Sequence, residues 1–96
     1  MKQAKTLKLE ELMGLYLKQT GLERKFKEME ACLAWPEVVG QVIAAYTGEI
    51  NMTNGKLFVR FTSPVVRNEM SMVKEGLVKA LNDKLGEQVV KDIICR

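Results

Sequence analysis

The feature that most constrains the fold is the segment 47–63, TGEINMTNGKLFVRFTS. Two runs of alternating polar and apolar residues flank Asn54-Gly55, the preferred pair for a two-residue type I′ turn. If Thr53 faces Lys56, the hairpin has one apolar and one polar face, as expected for a sheet covered on one side. The predicted apolar pairs are Ile50–Val59, Met52–Leu57 and Gly48–Phe61, and the predicted polar-face pairs are Glu49–Arg60, Asn51–Phe58 and Thr47–Thr62.

Two amphipathic helices are predicted before the hairpin, over residues 7 to 18 and from Leu22 onward, separated by Thr20-Gly21. We expect them to pack against each other or against the sheet through apolar residues at helical spacing. These residues are Leu9, Leu12, Met13 and Tyr16 in the first helix, and Leu22, Phe26, Met29 and Leu33 in the second.

The stretch AWPEVVGQVIAAYT at residues 34 to 47 predicts a break at Trp35-Pro36 and then a new, deeply buried helix to about Ala45. Trp35 is expected in the core rather than at a binding surface. Gly40 in this helix suggests close approach of another element, with the Trp35 ring as a candidate neighbour.

After the hairpin, Ser63 and Pro64 predict the capped start of one long helix, which ends near Leu85 with Gly86 as its left-handed terminator. Its predicted buried stripe is Val66, Met70, Val73, Leu77, Ala80 and Leu81. Residues 88 to 95 predict a last strand, parallel to its neighbour, with Val89, Ile93 and Cys95 facing inward. The order of elements predicts an α+β fold: a three-stranded mixed sheet with helices on one face.

The 96 residues are expected to form one domain, with residues 1–6 as a flexible basic arm. The absence of histidine excludes Ser-His-Asp and Cys-His catalysis, and no phosphate loop or paired acidic motif is present, so we expect no enzyme, metal or cofactor. The charged amino end and the lack of a long apolar run indicate no signal peptide or membrane anchor. We therefore expect a cytoplasmic protein with two reduced cysteines, Cys32 and Cys95.

An ordered set of residues resembles the DciA family from about residue 30 to the end of the chain. The set comprises Trp35, Val39-Gly40, Thr47, Asn54-Gly55-Lys56-Leu57, Val59, Ser63, Arg67-Asn68-Glu69-Met70, Leu81-Asn82, Leu85-Gly86 and Ile93. The resemblance implies a KH-like fold and a role beside the bacterial replicative helicase, which members bind and help to place on single-stranded DNA. The chain lacks the basic extensions of longer members and the GxxG loop of true KH domains, and it has Val66 where many members have an aromatic residue.

Candidate binding residues follow from the hairpin register and from the charges of the long helix. The nucleic-acid candidates are Lys56, Phe58, Arg60, Arg67, Lys74 and Lys91, with Phe58 as a stacking platform for single strands. The partner-binding candidates are Phe58 and Met72. The structural motif comprises Trp35, Pro36, Gly40, Asn54, Gly55 and Gly86. A protein-binding adaptor or homodimer without nucleic acid, and an RNA-binding module, remain alternatives, as does an ordinary solvated face for the charged residues.

Overall fold

Four helices and three strands make up the computed structural model, which describes residues 8–96 apart from the side chains of Leu17 and Gln19. The elements are α1 (Leu9–Thr20), α2 (Leu22–Ala45), β1 (Thr47–Thr53), β2 (Lys56–Phe61), α3 (Pro64–Met72), α4 (Lys74–Leu85) and β3 (Asp92–Cys95). The expected α+β class is confirmed. The predicted arm, residues 1–6, lies outside the described residues.

The sheet has the order β1-β2-β3, with β1 antiparallel to β2 and β2 parallel to β3. Asn54 and Gly55 both have positive φ, 51° and 83°, as a type I′ turn requires. The four pairs nearest the turn, from Thr53–Lys56 to Ile50–Val59, have the predicted register. The turn therefore determines which side chains of the hairpin face the core.

Farther from the turn the predicted register is wrong, because an irregularity between Thr47 and Ile50 pairs Thr47 with Phe61 instead of Thr62. The shift places the Thr47 hydroxyl 3.1 Å from the indole Nε1 of Trp35, which donates a hydrogen bond to it. The hydroxyl in turn donates to the carbonyl of Ile43 at 3.1 Å. A buried indole N–H needs such an acceptor, and the bulge supplies it.

The core lies between the sheet's inner face and helices α2, α3 and α4. Trp35 is 1% exposed and meets Phe61 edge-on, with ring centroids 6.2 Å apart. The buried apolar residues are Ala31, Ala34, Trp35, Met52, Leu57, Val59, Phe61, Leu81, Val90 and Ile93.

Helix α2 differs from the prediction at two positions. It continues through Pro36, and the break lies at Gly40, where φ is 88° and ψ is 167°. Pro36 has no N–H, so the helix lacks one backbone hydrogen bond at this position. Burial of the neighbouring Ala34 and Trp35 stabilises the helix despite this loss. Gly40 is required for its positive φ and not for close packing, since a Cβ there would meet nothing within 4 Å. The segment beyond it is not deeply buried, because Val42 is 73% exposed.

The amino-terminal helices do not bury the stripes that their periodicity predicted. Leu9, Leu12, Met13 and Tyr16 of α1 are exposed, and so are Leu22, Phe26, Met29 and Leu33 of α2. Helix α2 instead turns its Ala31, Ala34 and Trp35 side toward the sheet and α4. The described chain is accordingly elongated, with extents of 61 × 22 × 20 Å.

The predicted long helix is two helices, separated at Val73, where φ is −110° and ψ is 16°. Ser63 caps α3 by accepting a hydrogen bond from the Val66 N–H, and Gly86 ends α4 with a φ of 80°. The break lets α3 contact β2 and β3 while α4 contacts α2 and β3. Val73 is half exposed and does not belong to the buried stripe.

Asn82, a buried polar residue of α4, holds the segment that leads into β3. Its Oδ1 accepts hydrogen bonds from the N–H groups of Val89 at 2.9 Å and Val90 at 2.8 Å. Its Nδ2 donates to the Val90 carbonyl at 2.9 Å and to the Gln88 side chain at 3.2 Å. This clamp explains why β3 begins only at Asp92 and why Val90, rather than the predicted Val89, is the fully buried residue.

We predict that Asn82→Ala lowers the free energy of unfolding by about 2–4 kcal/mol, because it leaves the buried N–H and carbonyl of Val90 without partners. Chemical denaturation measures the change, and Asn68→Ala, at an exposed position of α3, is the matched control. The control should change stability by no more than about 0.5 kcal/mol. Equal effects of the two substitutions would contradict the clamp.

Candidate functional site

The sheet has a second face that points away from the core, here called the outer sheet face. Alternation along the strands places there Glu49, Asn51 and Thr53 of β1, Lys56, Phe58 and Arg60 of β2, and Asp92, Ile94 and Arg96 along β3 and its end. The helices that contact the sheet have their buried side chains in the core on the opposite face. Within residues 8–96, the outer sheet face is therefore a broad surface that no helix covers.

Phe58 occupies the middle of this face, on the central strand. Asn51 is its register partner on β1, and Ile94 is its partner on β3. The Phe58 side chain is half-buried, and the guanidinium carbon of Arg96 lies 5.1 Å from the centre of its ring. This distance is within the range of a cation–π contact. An aromatic ring and a guanidinium that can move off it form an arrangement that can stack on and hold an unpaired base.

Arg96 was not among the candidates predicted from sequence. Its backbone N–H donates to the Val59 carbonyl at 2.9 Å, and its carbonyl accepts from the Phe61 N–H at 2.7 Å, so it extends the pairing of β3. The signal was available in principle. Residues 92, 94 and 96 of a parallel strand share one face, and that face is the one that carries Phe58.

Charges on the outer sheet face are mixed. Arg60 forms an ion pair with Glu49 at 3.7 Å, and because both side chains are more than half exposed the pair contributes little to stability. Asp92, beside Lys56 in the register, forms its ion pair with Lys74 at 3.4 Å. Within the described part of the chain, Lys56 and Arg96 have no ion pair. These two side chains are the cations most available to a phosphate.

The six nucleic-acid candidates do not form one continuous basic strip. Lys56, Phe58 and Arg60 share the outer sheet face, whereas Lys74 lies at the β3 edge of the sheet with Asp92. Lys91 lies at the hairpin turn. Its Cδ is 2.9 Å from the position that a Cβ would occupy if residue 55 were not glycine. Arg67 is half-buried on α3, which packs on the inner side.

A second exposed surface lies at the junction of α3 and α4 and is called the α3 corner. Met72, the predicted partner-binding residue, is 76% exposed there. Val65 lies seven residues earlier on the same side of α3 and is also exposed, as is Val73. Met72 and Val73 are adjacent at the junction and Val65 lies two turns away along α3, so the corner offers a small apolar surface to a partner. Phe58, the other partner candidate, is not part of the corner.

An open cleft of about 300 Å³ lies between the start of α2, the hairpin turn and the segment before β3. Its charges balance: Arg24, Lys27 and Lys91 oppose Glu23, Glu28 and Glu87. Lys27 donates a 2.9 Å hydrogen bond to Glu87, and this hydrogen bond raises the pKa of the lysine. The ammonium group itself is exposed to solvent. Within the cleft, Lys27 thus pairs with both Glu23 and Glu87.

The cysteines and acidic residues are the possible disulfide partners and metal ligands in the described residues. Cys32 and Cys95 are both free thiols, and burial, followed by the charge of Glu28, raises the pKa of Cys32. Within residues 8–96 no group of three or more histidine, cysteine, aspartate or glutamate side chains could hold a metal ion. The described helices also include none long and apolar enough to cross a membrane.

The fold and its surfaces define a small α+β domain that presents an open sheet face and an apolar helix corner. The sequence model of the family described as "Dna[CI] antecedent, DciA" matches residues 8–95. The chain therefore belongs to the DciA family, and membership implies a role in DNA replication, in helicase loading. No curated protein matches the chain.

Proposed function

We propose that this chain is a non-enzymatic replication accessory of the cytoplasm. In this proposal it binds the replicative helicase through the α3 corner and weakly holds single-stranded DNA on the outer sheet face. The observation that carries the proposal is the position of Phe58 on the open face of a DciA-family domain, with the Arg96 guanidinium 5.1 Å from its ring. The protein contributes binding energy alone, which would hold the helicase beside a strand.

Single-stranded DNA fits the outer sheet face better than duplex DNA does. A flat aromatic surface can stack on unpaired bases, whereas bases within a duplex are already stacked on each other. Lys56 has no ion pair in the described residues and can contact phosphates, while Arg60 must first leave Glu49 and Arg96 lies over the Phe58 ring. A few such contacts, with two carboxylates nearby, support weak and salt-sensitive binding.

We predict that Phe58→Leu lowers the affinity for a labelled single-stranded oligonucleotide about tenfold, because leucine keeps the apolar volume but removes stacking. Fluorescence anisotropy at two or more low salt concentrations measures both affinity and salt dependence. Lys56→Gln should reduce the slope of log affinity against log salt by about 0.7, the value for one lost phosphate contact.

The matched control is Lys79→Gln, since Lys79 is an exposed lysine of α4 that pairs with Asp83 at 3.0 Å, away from the outer sheet face. It should leave the slope unchanged. No measurable binding at low salt, or equal effects of the Lys56 and Lys79 substitutions, would overturn the proposed DNA surface.

For the helicase, we predict that Met72→Gln weakens capture of the organism's replicative helicase at least about fivefold, since it removes an exposed apolar contact from the α3 corner. Val42→Gln is the matched control, because Val42 is exposed to a similar extent, 73% against 76% for Met72, at the far end of α2. A pull-down with purified helicase measures both variants. Normal capture by the Met72 variant would exclude the α3 corner as the contact.

The exposed α3 corner also supports a second candidate, a protein-binding adaptor that needs no nucleic acid. Helicase capture without any binding of single strands would favour the adaptor over the first proposal. Tighter binding of RNA than of DNA of equal length would favour an RNA-binding module. For each of these functions we propose a KH-like fold that binds its protein or nucleic-acid partner without the GxxG loop of true KH domains.

A further inference from the structure

Helix α2 has apolar residues on two opposite sides. In a heptad that starts with Leu22 at position d, the residues packed in the core are Ala31, Ala34 and Trp35, at positions f, b and c. Leu22, Phe26, Met29 and Leu33 then occupy d, a, d and a, the positions that face a partner in a coiled coil. We call these four residues the α2 stripe. The domain thus covers one side of the helix and leaves the coiled-coil side open.

Each side chain of the α2 stripe is at least 42% exposed. Helix α1 adds further exposed apolar side chains, among them Leu9, Met13 and Tyr16. Together the four residues of the α2 stripe and these three of α1 offer seven exposed apolar side chains to a partner. A surface of this size and composition is typical of an interface.

The charges beside the α2 stripe indicate which partner fits. Lys25 lies at position g on one flank, and Glu30 lies at position e on the other, five residues later. In a parallel pair of identical helices, a g residue meets the e residue five positions on in the partner. Lys25 of each copy therefore meets Glu30 of the other, and both side chains are exposed without an ion pair in the described residues.

An antiparallel pair would be less favourable. It places like flanks together, so that Glu23 of one copy approaches Glu30 of the other. The flank charges therefore favour a parallel pair, with the two-fold axis running along α2.

We propose that two copies of this chain associate through their α2 stripes as a short parallel coiled coil, with α1 contributing apolar contacts. The sheet domains lie on the outer sides of the pair, because positions b, c and f are already packed within each domain. The outer sheet face and the α3 corner are not part of this contact. Each dimer therefore exposes two outer sheet faces and two α3 corners.

Sedimentation equilibrium of the whole chain over a wide range of concentration tests the proposal. We expect a reversible monomer–dimer equilibrium. Phe26→Gln should weaken the dimer at least about a hundredfold, since it removes a core position of the coiled coil. Because Phe26 is already 46% exposed in one chain, the variant should keep the circular dichroism spectrum of the folded monomer.

A charge exchange tests the parallel register. Lys25→Glu and Glu30→Lys should each weaken the dimer about fivefold, and the double variant should restore it, because the exchanged charges again attract. Arg24→Glu makes the same change of charge one residue away at position f, and should have no such effect.

A monomer at every concentration would overturn the proposal, as would a larger oligomer. A dimer that Phe26→Gln leaves intact would also overturn it. Failure of the double variant to restore the dimer would exclude the parallel arrangement. A monomer that binds the helicase through the α2 stripe would assign this surface to that partner instead.

Discussion

The structure depends most on the two-residue turn at Asn54-Gly55. Its positive φ angles join β1 to β2 in one register, and the Gly55 carbonyl accepts a 2.7 Å hydrogen bond from the N–H of Lys91, immediately before β3. The turn therefore positions all three strands. Because side chains alternate along each strand, it also decides that Leu57 and Val59 enter the core while Phe58 faces out.

Packing on the inner face depends on two polar anchors placed among apolar residues. Thr47 accepts the hydrogen bond of the Trp35 indole, and Asn82 binds both backbone groups of Val90. Each anchor satisfies a buried polar group that would otherwise oppose folding. Together they join α2 to the start of the hairpin and α4 to the start of β3, so the outer sheet face is carried on a rigid support.

The elements with local signals were predictable from the sequence. The Asn-Gly turn, the Ser63 cap and the Gly86 terminator each specify their own conformation. The bulge at Thr47 was not predictable, because it serves a tertiary hydrogen bond to Trp35. Helical periodicity predicted that the apolar residues from Leu22 to Leu33 share one side of α2. It did not predict that this side is exposed, since the opposite side of α2 packs in the core. Of the site, Phe58 and Lys56 followed from the hairpin register; alternation along β3 could also have placed Arg96 on the outer face, but its contact with Phe58 depends on the pairing of β3 with β2.

We propose that single-stranded DNA binds this DciA-family chain on the outer sheet face, centred on Phe58. The most direct test is an NMR titration of the isotope-labelled chain with a short oligonucleotide at low salt. We expect shifts at Asn51, Lys56, Phe58, Ile94 and Arg96 while the signals of the core and of α4 stay in place. Shifts confined to the helices, or none at all, would contradict it.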